Sequence, residues 1–150
     1  MAELLRRESF SLIEILIIIT VIGILVLISI PVFRIFEPAL QLSGVTRDLV
    51  SDLRYAQQLT VTEQVEHGVR FSISLEKYQV IRYVTPEEIL KEKELPSLVS
   101  FEKIEGFTND EVKFNPYGAV KESGTVTLKS DREKTTTIDV RPSGFIKILK

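Results

Sequence analysis

From Leu12 to Phe33 the chain runs for 22 residues with a single ionisable side chain, Glu14. As a helix this run extends roughly 33 Å, enough to cross the hydrocarbon core of a bilayer. It predicts one membrane-anchoring helix and leaves only about 115 residues downstream for one ordinary domain with a small core. An acidic side chain costs about 2.5–3.5 kcal/mol at the centre of a membrane helix and less near an edge. A carboxylate kept in such a run therefore marks a functional position that needs a partner.

A secretory signal has a shorter apolar stretch, about 7–15 residues, ending in a small-x-small cleavage site. Here the run is longer and continues into Ile30-Pro31-Val32-Phe33-Arg34, with no such pair, so the helix is expected to be retained. Arg6, Arg7 and the amine of Met1 precede the run, whereas Arg34 and Arg47 follow it, which predicts a cytoplasmic N-terminus. Pro31 and Pro38 each lack the N–H that a helix interior uses, so each is expected to kink or break the helix. Ending the membrane span is an equally good reading of Pro31. Gly44 weakens the segment further.

Beyond it Val45, Leu49, Leu53, Ala56, Leu59 and Val61 recur at helical spacing, with Arg47, Asp48, Asp52, Arg54 and Gln57 assigned to the other face. This predicts an amphipathic helix over about 43–66, ended by His67-Gly68. Residues 69–75 alternate apolar and polar and 78–84 return, a β-hairpin about Glu76-Lys77. The acidic stretch from Thr85 to Leu95 opens on Thr85-Pro86-Glu87-Glu88 and is expected to be a short helix or an exposed loop. Further strands are expected at 98–104, 112–114, 124–130, 135–141 and 144–149, with turns at Asn115-Pro116-Tyr117-Gly118 and Pro142-Ser143-Gly144. The fold class is α+β: a long N-terminal helix, apolar in its first half and amphipathic in its second, packed on an antiparallel β-sheet.

Residues Met1 to Ser9, with Arg6-Arg7, followed by Phe10-Ser11-Leu12-Ile13-Glu14 and a long aliphatic helix, resemble the signal of type IV prepilins and type II secretion pseudopilins. The resemblance implies a leader at 1–9, cut by a prepilin peptidase at Ser9-Phe10, N-methylation of Phe10, and retention of Glu14. Where the family has glycine before the cut, this chain has Ser9, also small. An apolar helix at 10–36 and a periplasmic domain at 37–150 would follow, in a single-pass protein of a bacterial inner membrane. Arg54-Tyr55-Ala56-Gln57-Gln58, Lys113-Phe114-Asn115-Pro116-Tyr117-Gly118 and Arg141-Pro142-Ser143-Gly144-Phe145 look like segments of the GspH/FimT-type minor pseudopilins and minor pilins. The implied partners are other pilins or pseudopilins, the peptidase, the inner-membrane assembly platform and secreted cargo.

Glu14 has a physical reading of its own. Four residues after Phe10 and in the first helical turn, it lies where the helix dipole favours negative charge. Its carboxylate could cap its own chain or meet the amine of a neighbouring helix and set axial register.

Other function classes find little support. With no cysteine there is neither a disulfide framework nor a thiolate metal site, and His67 alone cannot complete a zinc site. His67 in Glu66-His67-Gly68 is expected to be a surface turn residue. No serine elbow or phosphate-cradling loop occurs, so no catalytic residue and no cofactor are assigned. Thr108-Asn109-Asp110-Glu111 and Asp131-Arg132-Glu133 lack the spaced oxygen donors of a calcium loop. The formal net charge is −2, yet residues 112–150 carry 8 basic against 4 acidic side chains. Nucleic-acid capture by Lys121, Lys129, Arg132, Lys134, Arg141, Lys147 and Lys150 is therefore the alternative, as in minor pilins serving DNA uptake, without the aromatic interleaving that stacks bases.

Overall fold

The computed structural model describes residues 11–149. Its contacts divide the chain into two compact units between Glu37 and Pro38. Helix α1, Leu12–Glu63, contributes to both. Pro31 and Pro38 lie inside it, and the helix neither ends nor restarts at either residue. The amphipathic second half expected over about 43–66 is the last part of α1, which stops at Glu63 with Gln64 in the left-handed region at φ 57°.

The second unit adds eight strands: β1 His67–Ser72, β2 Lys77–Arg82, β3 Glu88–Glu94, β4 Val99–Glu105, β5 Glu111–Phe114, β6 Gly124–Ser130, β7 Thr135–Val140 and β8 Ile146–Leu149. They form two antiparallel sheets rather than the single one expected, ordered β3-β2-β1-β5 and β4-β6-β7-β8. Alternation sets which side chains point inward. Val69 and Phe71 of β1, Val126 and Leu128 of β6, and Ile138 and Val140 of β7 are all buried. One core joins these residues to Leu42, Leu49, Val50, Leu53 and Ala56 of α1. Phe71 and Phe101 meet edge to face across the two sheets, ring centres 5.7 Å apart.

Four expectations need correction. The stretch expected to be a helix or loop contains β3, which runs beside β2 as an edge strand. An edge strand with solvent on several sides needs no alternation, and Glu92 is tied to Lys77 and Gln79 of β2, so its charged composition hid it. His67 is fully buried as the first residue of β1, its N–H donating to Thr60 Oγ1 at 3.0 Å and its Nδ1 lying 2.8 Å from the Val65 carbonyl. Gly68 marks a close approach between strands, not a turn: a Cβ there would lie 2.2 Å from the Val112 carbonyl of β5. On α1 the buried stripe includes Thr46, Asp52 and Thr60, whereas Val61 is exposed.

Candidate assembly surface

The first unit offers one surface. Every described side chain of residues 11–30 is exposed, and Leu12–Ile30 is long and apolar enough to cross a membrane by length and composition. Its hydroxyls are satisfied internally: Thr20 donates to the Leu16 carbonyl and Ser29 to the Leu25 carbonyl, both at 2.7 Å. Such i−4 bonds remove the need for a polar neighbour. Glu14 has no equivalent. It sits in the first turn of α1, where the N–H groups of Glu14 and Ile15 donate to the Ser11 carbonyl at 3.0 and 3.2 Å. No described residue donates to its carboxylate. Among the described residues the surface is therefore an aliphatic stretch with one acceptor at its start that no described donor meets, suited to lipid or to other apolar helices that bring a cation to that height.

Of the other residues singled out in the sequence, Ser9 and Phe10 lie outside the described residues. Pro31 lies in the first unit and Pro38 begins the second.

The second unit brings together three segments that the sequence reading had set side by side only by resemblance. Gln57, on α1, donates through Nε2 to the carbonyls of Gly118 at 2.6 Å and Gly144 at 3.1 Å. Asn115 Oδ1 holds the first loop by accepting from the N–H groups of Tyr117 and Ala119. The second loop is tied on by the Val120 N–H, which donates to the Pro142 carbonyl at 3.2 Å. Gln57 thus fastens both loops to the helix.

Two buried carboxylates were missed. Asp52 had been assigned to the outer face of its helix, yet it is 4% exposed, accepting from Tyr78 Oη at 2.7 Å and from Lys91, with Lys93 at 3.5 Å. Its spacing, three residues after Leu49 and four before Ala56, was the available signal, because both neighbours lie on the buried stripe. Glu111 starts β5 and is held by Arg70, by Tyr83 Oη at 2.9 Å and by Lys113 at 2.9 Å. Burial alone would raise both carboxyls. For Asp52 the hydrogen bonds from Lys91 and Tyr78 outweigh it, and for Glu111 those from Lys113, Arg70 and Tyr83 do, so both titrate below the ordinary range. Burial and the same hydrogen bonds push the phenols of Tyr78 and Tyr83 up.

These carboxylates give the fold an acid limit. With native values below unfolded ones, the unfolded chain binds more protons in the interval between them, so stability rises with pH there. Their contribution is complete above the ordinary carboxylate range, about pH 4, and is lost as pH falls through the lowered values. Denaturant midpoints should drop from pH 6 to pH 3, and Asp52→Asn should flatten that dependence. An equally steep curve in the variant would remove Asp52 from the acid response.

Among the described residues no group of three or more His, Asp or Glu side chains is placed to hold a metal ion. No family model matches the sequence, and no curated protein matches it. Solved structures do resemble it. The minor pseudopilin EpsH of the Vibrio cholerae type 2 secretion system superposes with a TM-score of 0.64 at 10% identity, covering 73% of this chain and 96% of that one. The type IV minor pilin FimU of Pseudomonas aeruginosa gives 0.63 at 12% identity, covering 77% and 92%. At such low identity the likeness is one of architecture, and the architecture of this chain is the pilin and pseudopilin fold.

Proposed function

We propose that this chain is a minor pseudopilin, a structural subunit of a type II secretion pseudopilus that serves protein secretion, with no catalytic role. The observation that carries the reading is the wholly exposed apolar segment Leu12–Ile30 with Glu14 in its first turn, attached to a unit of pilin fold. Such a segment needs one apolar environment as a membrane-inserted precursor and another once assembled, and a bundle of like helices supplies the second. In this reading a prepilin peptidase cuts Ser9-Phe10 on the cytoplasmic side of the inner membrane and Phe10 is N-methylated. The globular unit stands in the periplasm. Glu14 then takes the Phe10 amine of a neighbouring subunit, fixing the height at which one helix enters beside the next. Pro31 and Pro38, without their amide hydrogens, let α1 bend on entry. The assembly platform delivers the subunit, and the sheets meet neighbouring subunits and cargo.

The likeness to FimU favours a second reading, a minor type IV pilin working in pilus assembly or DNA uptake by the same helix-mediated entry. The intact mass of the chain co-expressed with a prepilin peptidase tests the step both readings share. Loss of residues 1–9 with one added methyl group is expected. A full-length mass would leave a permanently anchored protein and contradict both.

A further inference from the structure

The two sheets of the globular unit have four edges, and three are guarded. β3 carries Glu88, Lys91, Glu92, Lys93 and Glu94, and its register with β2 shifts between Val80 and Ile81. β4 is bulged between Phe101 and Lys103, with Glu102 and Lys103 exposed. β5 is covered at its end, where Phe114 forms a further bridge to Val120. Charges, bulges and short length are the devices that keep foreign strands from adding to an edge. β8 is also four residues long and carries one charge, Lys147, but among the described residues it has neither a bulge nor a bridge beyond its pairing with β7: its register with β7 runs unbroken from Thr137↔Leu149 to Val140↔Ile146, and Ile148 and Leu149 are exposed. The hairpin closes with the Arg141 N–H donating to the Phe145 carbonyl. By antiparallel alternation this turns the N–H and C=O groups of Ile146 and Ile148 away from β7, toward the open edge.

Beside that edge runs a groove between β8 and α1. One stretch, about 770 Å³, is lined by Leu42, Thr46, Arg47, Lys134 and Ile148 among others. The adjoining stretch, about 490 Å³, shares Arg47 and Ile148 and adds Arg54 and Tyr55. Its cations differ from most of those elsewhere in the unit, Arg132 and Lys147 being the exceptions among the described residues. Arg70, Lys77, Arg82, Lys91, Lys93, Lys113 and Lys121 each hold a carboxylate within 4 Å. Arg47, Arg54 and Lys134 are exposed and hold none among the described residues.

We infer that β8 accepts an added strand from a partner protein, and that the strand is acidic. Its backbone pairs with Ile146 and Ile148. Its apolar side chains cover Ile148, and its carboxylates neutralise Arg47, Arg54 and Lys134. Open main-chain groups supply affinity in this mode of recognition and the alternating side chains supply specificity. The inference goes beyond the filament reading and does not depend on entry of α1 into a filament.

The test uses the full chain in detergent micelles and two synthetic ten-residue peptides, one alternating valine with glutamate, the other valine with lysine. The glutamate peptide should bind and slow amide exchange at Ile148, the lysine peptide should do neither, and Arg47→Glu with Lys134→Glu should weaken binding at least about tenfold. Both substitutions are at exposed positions, so the melting curve should be retained. Binding that leaves Ile148 exchange unchanged, or no binding, would overturn the inference. Protection of Ile148 that rises with protein concentration alone would assign the edge to a second copy. Protection by a single-stranded oligonucleotide but not by the glutamate peptide would assign the groove to nucleic acid. Either result would overturn the proposal.

Discussion

Glu14→Leu should insert in the membrane, lose its leader normally and fail to enter filaments. Insertion improves, because replacing a carboxylate by leucine removes an unfavourable term of up to about 2.5–3.5 kcal/mol. In the filament reading the bond to be cleaved, Ser9-Phe10, lies before position 14 and is left unchanged by the substitution. Assembly is where the substitution acts: the amine of a neighbouring Phe10 would be buried among aliphatic side chains with no counter-charge. Breaking a buried pair from one side costs about 3–5 kcal/mol, or about two to three and a half decades in the equilibrium for incorporation. Thr20 and Ser29 cannot take over, since both hydroxyls already donate to their own helix and stand further along it. The readout is the share of the chain in sheared filaments against the membrane fraction. Normal entry of Glu14→Leu would remove the register role from this residue.

Gly144→Ala should destabilise the globular unit by about 2–5 kcal/mol. Gly144 has φ +78°, where an L side chain costs about 1–2 kcal/mol. A Cβ there would lie 2.0 Å from the Gly118 carbonyl oxygen and 2.4 Å from Gln57 Nε2. The first contact is with backbone and cannot swing aside, so the loops at 115–118 and 142–144 must separate, with an overpacking cost of about 1–3 kcal/mol. That separation also draws the carbonyls of Gly118 and Gly144 away from Gln57, their shared donor. A drop in melting temperature of about 10 °C or more is expected, measured by thermal denaturation of the full chain in micelles. A shift of one or two degrees would mean that the two loops do not depend on their close approach.

Much of this fold was legible because alternation and helical spacing are local signals. The strands at 99–105, 111–114, 124–130, 135–140 and 146–149 fall where apolar alternation and the turns at Asn115 and Gly144 predicted them. β3 was not legible, because an edge strand tied to its neighbour by Lys77 and Glu92 needs no buried face. The partition into two sheets was also hidden, since it depends on which strands pair at long range rather than on any one segment. Asp52 was misplaced because its charge was read before its spacing, and its burial rests on Tyr78 and Lys91, supplied 26 and 39 residues away. For the apolar surface the situation is reversed. Glu14 stood out from the sequence, whereas its counterpart would come from another molecule.

The most direct test of the filament reading is recovery of the unmodified chain. Cells expressing it with its own assembly machinery are sheared, and the filament and membrane fractions are probed for the chain. The account predicts the chain in the filament fraction, shortened to begin at Phe10. A chain confined to the membrane fraction, under conditions where the other subunits form filaments, would contradict it.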